Sequence, residues 1–211
     1  MYLFLSSIHY PIFNLGPGER IGIWLEGCSR NCPGCMSRHL QNRCPQHKRH
    51  VIDVFQNIYP VAKSFTGITI SGGEPFEQPE GLTALVELIQ RFTALDIMVY
   101  TGYLLEELES DTRKSAALEF IDILIDGPFQ IHESNHLIWR GSDNQRMHLL
   151  SRRAQEYRSL IGKYDDSERK LHVFTENDGQ IIIVGIPKRG FHKELRERSK
   201  LKGLKLGEYD G

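Results

Sequence analysis

Cys28, Cys32 and Cys35 stand in a Cys-x3-Cys-x2-Cys arrangement within Gly27-Cys28-Ser29-Arg30-Asn31-Cys32-Pro33-Gly34-Cys35. Three thiolates on one short loop can hold three corners of a cubane iron–sulfur cluster and leave the fourth iron without a protein ligand. That open corner is a place for chemistry. The same thiols, completed by Cys44, could instead close a structural zinc site, although zinc more often takes two Cys-x2-Cys pairs and this chain has one such pair and one looser cysteine. Thiolates suit both metals, so spacing alone leaves both readings open. Four cysteines in 211 residues are too sparse for a disulfide framework. A second segment, Ser71-Gly72-Gly73-Glu74-Pro75, places two glycines where backbone can approach a ligand that a β-carbon would block. Taken alone, it reads equally well as a strand-to-helix turn.

The elements around these segments set where they fall. Ile21 to Leu25, apolar and bounded by Gly18 and Gly27, reads as a strand leading into the cysteine loop. Val51, Val54, Phe55, Ile58 and Val61 recur at helical spacing before the strand-like Ile68-Thr69-Ile70, which runs straight into the glycine pair. Leu82, Leu85, Val86, Ile89 and Phe92 make a second helical stripe before Ile97 to Tyr100. A broken helix over 104–108 and 116–120 then precedes Ile123-Leu124-Ile125. Helices alternating with short apolar strands predict βαβ units and a parallel sheet. A complete eight-stranded barrel needs about 250 residues, so the expected fold class is α/β with a partial (β/α) barrel or open sheet. After residue 150 the character changes. Leu171 to Thr175 and Gln180 to Val184 flank Asn177-Asp178-Gly179, a hairpin signal, and a basic segment from Lys188 to Lys205 follows. Residues 1–150 are expected to form the core, and 151–211 a hairpin-and-helix extension packed on it.

Composition excludes several classes. With 40% hydrophobic residues and a net charge of −1, the chain can bury one core and offers no general attraction to nucleic acid. The apolar start Met1 to Leu5 has no basic segment before it and meets His9 and Pro11, and no apolar run reaches the roughly 18 residues needed to span a bilayer. A cytoplasmic protein is expected, with no membrane partner. The histidines show no metalloprotease spacing, and His39, His47 and His50 near Cys44 read as a solvated loop. No Ser-His-Asp set or Walker-type loop supports a hydrolase or nucleotidase.

The cysteine loop after a first strand and the Gly-Gly-Glu after a second resemble the radical S-adenosylmethionine superfamily. Within it the chain is similar to the activases of glycyl-radical enzymes of the anaerobic ribonucleotide reductase type. That likeness runs in order through Asn14-Leu15-Gly16-Pro17-Gly18-Glu19-Arg20, the Cys-Pro-Gly-Cys end of the loop and Tyr100-Thr101-Gly102-Tyr103. It continues through Ile125-Asp126-Gly127-Pro128-Phe129 and 138–146. The resemblance implies a [4Fe–4S] cluster on Cys28, Cys32 and Cys35, and S-adenosylmethionine held by Gly72 and Gly73 backbone with Glu74 accepting from its ammonium. It also implies a flavodoxin or ferredoxin as electron donor and hydrogen abstraction from a protein or peptide substrate.

Thr101 and Asp126, at strand ends of the parallel-sheet reading, are candidates to line the cofactor pocket. Arg140, a planar fork, is a candidate carboxylate partner. Met36 follows the third cysteine where many activases carry an aromatic residue that can pack on adenine; a thioether can also contact a ring. The roughly 60-residue extension has no counterpart in the resemblance, which leaves open a maturase acting on a different peptide or on a small molecule.

Overall fold

The computed structural model describes residues 1–133, 136–164, 170–175, 181–188 and 190–203. The chain opens with β1 (Tyr2–Ile12) and β2 (Arg20–Leu25), followed by β3 (Lys48–His50), α1 (Val51–Ile58) and β4 (Gly67–Gly72). Then come α2 (Pro79–Phe92), β5 (Asp96–Tyr100), α3 (Leu105–Ser110), α4 (Thr112–Leu118), β6 (Ile123–Asp126) and β7 (Arg146–Leu149). The hairpin β8 (His172–Thr175) and β9 (Ile181–Val184) precedes α5 (Phe191–Leu201).

The main sheet has the order β3-β1-β2-β4-β5-β6-β7. β2, β4, β5 and β6 run parallel, while β1 and β7 flank them antiparallel. This is the expected α/β class, an open partial barrel with a mostly parallel sheet, a C-terminal hairpin and a trailing helix. Parallel neighbours need crossover connections, and α1, α2 and the α3–α4 pair supply them. In α2, Pro79 occupies the first turn, where its missing N–H costs nothing, and Leu82, Leu85, Val86 and Ile89 form one buried stripe. That stripe packs with Val54 and Ile58 of α1 against Ile21, Ile23, Ile68, Ile70, Ile97 and Val99. Full burial of each such side chain contributes roughly 1.5–3 kcal/mol.

The opposite face of the sheet is different because strand side chains alternate. Met98, Ile123, Ile125 and Met147 form a smaller core with Ala154, and Trp139 and Tyr157 pack against it. At the N-terminal ends of the parallel strands the Arg20 guanidinium is wholly buried, 2.6 Å from Asp96 Oδ1, and also donates to Thr69 Oγ1 and the Ile68 carbonyl at 2.7 Å each. This ionic lock lies at the end of the sheet away from the cysteines.

Sequence reasoning assigned no strand to β1. Pro11, which argues against a strand, falls where the register with β2 is interrupted between His9 and Ile12, and a bulge of that kind tolerates proline. The turn Asn177-Asp178-Gly179 lies outside the described residues, but the strands on either side pair antiparallel, Thr175 opposite Ile181. Of the basic segment, 191–201 is helical, with Arg198 and Glu194 paired at 2.6 Å on an exposed face, and 189 and 204–205 lie outside the described residues. No helix among the described residues is long and apolar enough to cross a membrane.

Candidate active site

Strand register brings the two sequence signals together. β2 and β4 pair from Arg20 opposite Gly67 to Leu25 opposite Gly72, so both strands end at the same level. The cysteine loop and Gly72-Gly73-Glu74 therefore leave the sheet side by side. Ile70 pairs with Val99 and Tyr100 with Ile125, which sets Thr101 and Asp126 along the same edge. Crevices at the carboxyl ends of parallel strands are where open α/β sheets bind ligands.

Backbone contacts explain why glycines occupy this junction. The Gly73 amide donates to the Leu25 carbonyl at 2.7 Å and the Glu74 amide to the Gly27 carbonyl at 2.8 Å. A β-carbon on Gly73 would stand 2.4 Å from the Gly27 carbonyl oxygen, and one on Gly72, whose φ is +113°, would stand 2.3 Å from that of Leu25. The close approach the sequence suggested is thus first an approach of backbone to backbone, locking the Gly-Gly-Glu turn to the root of the cysteine loop.

The loop itself is anchored at its base by Gly27 N to the Leu40 carbonyl, 2.8 Å, and Cys28 N to the Gln41 carbonyl, 2.9 Å. Both the amide and the hydroxyl of Ser29 donate to Glu77 Oε1. Cys28, Cys32 and Cys35 all border one cavity of about 930 Å3, near the upper end of the roughly 300–1,000 Å3 of small-molecule sites. Burial pushes the Cys28 and Cys35 thiols up. Glu74 and Glu77 add to this at Cys28 and Cys32 adds at Cys35, while the amides of Arg30 and Ser37 oppose it. The donor set fits a cluster with one open corner: three thiols border the same cavity as Gly73 and Glu74. Among the described residues no three His, Cys, Asp or Glu side chains gather around a single point. Cys44 does not border the cavity. Its thiol donates to Gln46 Oε1 and its amide to Glu26 Oε2, so the closed four-cysteine zinc site finds no support in this arrangement.

Glu74 is almost wholly buried. Burial drives its pKa up to about 7 against the Gly102 amide, the Thr101 hydroxyl, the Phe76 amide and Arg30, which all favour the charged form. Its carboxylate accepts from Thr101 Oγ1 at 2.7 Å, Gly102 N at 2.7 Å and Phe76 N at 3.1 Å. A carboxylate has about four acceptor sites, so about one is left for a ligand. Glu74 thereby ties the end of β4 to the end of β5.

Gly72, Gly73, Glu74, Thr101 and Met36 border the cavity with the three cysteines; Asp126 and Arg140 do not. Asp126 is fully buried, and burial works to raise its pKa, but Arg146, the Leu105 amide and His148 outweigh it and hold the carboxyl below its usual range. It accepts from Leu105 N at 2.7 Å and Arg146 Nε at 3.0 Å, fixing the start of α3 and the first residue of β7. Arg140 is buried, which pushes its pKa down, with Asp143 and Tyr100 opposing. Around it, Asn144 Nδ2 donates to the Pro128 carbonyl and Gln145 Nε2 to the Gly127 carbonyl, so the segments at 125–129 and 138–146 form one folded unit.

Sequence reasoning missed Arg30, which borders the cavity, lies 4.3 Å over the Tyr103 ring and has its Nη2 3.5 Å from Glu107. Its place inside the cysteine loop was the available signal. His39 and His47 lie on the solvated loop the sequence suggested and also border the cavity, and His47 Nδ1 lies 2.6 Å from the buried Glu26 Oε1.

A cysteine loop and a Gly-Gly-Glu turn on neighbouring parallel strand ends, opening into one cavity, define an iron–sulfur enzyme of the radical S-adenosylmethionine class. Residues 14–148 match the family described as "4Fe-4S single cluster domain". The chain is similar to the anaerobic ribonucleoside-triphosphate reductase-activating protein of Escherichia coli strain K12, 33% identical over 151 residues, covering 67% of this chain and 96% of the relative. It is 35% identical over 153 residues to that of Vibrio cholerae, covering 68% and 96%. To that of Enterobacteria phage T4 it is 33% identical over 143 residues, covering 65% and 89%. On that coverage the chain belongs to this family of activating proteins, oxidoreductases of the activase type.

Proposed function

We propose that this protein activates an anaerobic ribonucleoside-triphosphate reductase by removing a hydrogen atom from a backbone glycine of that enzyme. The observation that carries the reading is the register that sets Cys28, Cys32 and Cys35 beside Gly72-Gly73-Glu74 in one cavity. In this reading the cysteines hold a [4Fe–4S] cluster at three corners, and S-adenosylmethionine lies against the backbone of Gly72 and Gly73. When bound, the two cofactors supply a one-electron cleavage that yields a 5′-deoxyadenosyl radical, the hydrogen acceptor. The protein's share is placement. Glu74 keeps one acceptor site for the cofactor's ammonium while Thr101 and Gly102 fix its carboxylate. Met36 offers a thioether to the adenine, and Arg30 lies over Tyr103 at the cavity wall. Asp126 acts from outside the cavity, holding the start of α3 and the first residue of β7. Residues 1–150 form the catalytic core, 151–211 an extension upon it, and a reduced flavodoxin or ferredoxin delivers the electron.

The test is anaerobic. The protein reconstituted with iron and sulfide is reduced, given S-adenosylmethionine, and assayed for 5′-deoxyadenosine and for a low-temperature electron paramagnetic resonance signal that the cofactor alters. Adding the reductase should produce a glycyl radical signal, and Cys32→Ser should abolish both products. Deoxyadenosine without any radical on the reductase would transfer the activity to another peptide or small molecule. Stoichiometric zinc with no cleavage would end the enzymatic reading.

A further inference from the structure

The C-terminal hairpin lies outside the matched family region, residues 14–148, yet it builds one wall of the cavity. It is docked firmly. Asn14 Nδ2 donates to the Val184 carbonyl at 2.7 Å and the Lys170 carbonyl at 2.9 Å. Phe174 stacks on His9 with ring centres 5.0 Å apart, and His172 lies 5.1 Å from Phe13. Val184 is buried with Ile12 and Leu15, and Trp24, Tyr100 and Ile186 close around them.

Which part of the hairpin meets the cavity is informative. Ile182, Ile183 and Val184 border it as three consecutive residues, and Gly185, Ile186 and Pro187 continue the wall. Side chains of a strand alternate between its two faces, so a wall made of consecutive strand residues is met edge-on. β8 lies along one edge of β9 and contributes no residue to the cavity, so the edge facing the cavity is the other one. Among the described residues β9 pairs with β8 alone. An edge strand presents backbone N–H and C=O groups that an extended chain can take up by strand addition, with neighbouring apolar pockets reading its side chains.

We propose that the cavity-facing edge of β9 is the substrate-binding edge, where an extended segment of the protein substrate adds as a further strand and brings its glycine to the cysteine-lined end of the cavity. The inference rests on the proposed function, since it needs a polypeptide substrate. Its side-chain chemistry matches an uncharged segment: Ile8, Leu15, Trp24, Ile182 and Ile186 all border the cavity at the seam where the hairpin packs on the core, and the first cation along the hairpin is Lys188. Under the proposed function the charged methionyl end of the cofactor would be held elsewhere, by Gly72, Gly73 and Glu74 at the end of β4. Asn14 is a positioning residue that holds the wall in place.

The test uses the full-length, cluster-loaded, unreduced protein and follows backbone amide exchange at 181–186 alone, with S-adenosylmethionine, and with the reductase added. The expected result is at least tenfold slower exchange at two or more of these amides with the reductase and no comparable change with the cofactor alone. Asn14→Ala should weaken reductase binding about tenfold while the dissociation constant for S-adenosylmethionine stays within about twofold. Full protection by the cofactor alone would make the hairpin a cofactor lid and overturn the inference. A reductase complex that forms without protecting 181–186 would also overturn it and leave the proposed function standing. If no reductase complex forms with the unmodified protein, the proposed function itself fails and the inference falls with it.

Discussion

Gly73→Ala tests the idea that the cofactor end of the cavity depends on backbone-to-backbone contact. The new β-carbon would stand 2.4 Å from the Gly27 carbonyl oxygen and 2.9 Å from the Gly27 carbonyl carbon and amide nitrogen, with no flexible side chain among them to give way. Reaching ordinary contact requires about 1 Å of separation between the Gly-Gly-Glu turn and the cysteine loop. The hydrogen bonds at 2.7 and 2.8 Å across this junction would then be stretched beyond useful length. Two lost hydrogen bonds at about 1 kcal/mol each, with about 1–3 kcal/mol of overpacking, predict a destabilisation of about 3–5 kcal/mol. For a chain of this size that is a fall in Tm of about 10 °C. Gly102→Ala is the internal control, because its β-carbon would meet the Arg30 side chain, 2.5 Å from Cδ, which can swing away. Thermal and urea unfolding of both variants should separate them by at least about 2 kcal/mol. If Gly73→Ala unfolds no more easily than Gly102→Ala, the junction is not under the constraint described.

Other outcomes follow from single contacts. Because burial raises Glu74 to about 7 from an ordinary 4.5, the folded state holds a proton that the unfolded chain releases, so stability falls as pH rises between those values. Between pH 5.5 and 8.5 this group should cost about 2 kcal/mol, a component absent from Glu74→Gln, and equal pH slopes for the two iron-free proteins would refute it. Asp96→Ala leaves the buried Arg20 guanidinium without its carboxylate and should destabilise by about 3 kcal/mol in urea unfolding, at the end of the sheet away from the cysteines. Cys44→Ser should leave iron and sulfide content unchanged, whereas Cys35→Ser should not, since only the latter thiol borders the cavity. Equal metal loss in both would revive a four-cysteine site.

Local patterns in the chain already determined much of this. Three cysteines at fixed spacing point to thiolate-bound metal, and the stripes Leu82, Leu85, Val86, Ile89 and Val51, Val54, Ile58 carry helical period on their own. The parallel class followed from their alternation with short strands such as Ile97 to Tyr100. What the tertiary structure alone decided depends on register and on contacts between distant residues. The pairing of Leu25 with Gly72 brought the cysteine loop to the Gly-Gly-Glu turn. That turn needs its glycines because the backbones of Leu25 and Gly27 lie against Gly72 and Gly73, a constraint invisible in the motif itself. Asp126 and Arg140 stand at promising positions in the chain, but the first pairs with Arg146, the second is buried, and neither borders the cavity. The hairpin was legible as a hairpin from its flanking apolar runs. That its β9 edge walls the cavity was not, because that rests on Asn14 reaching carbonyls more than 150 residues away, and no local pattern records a contact of that range.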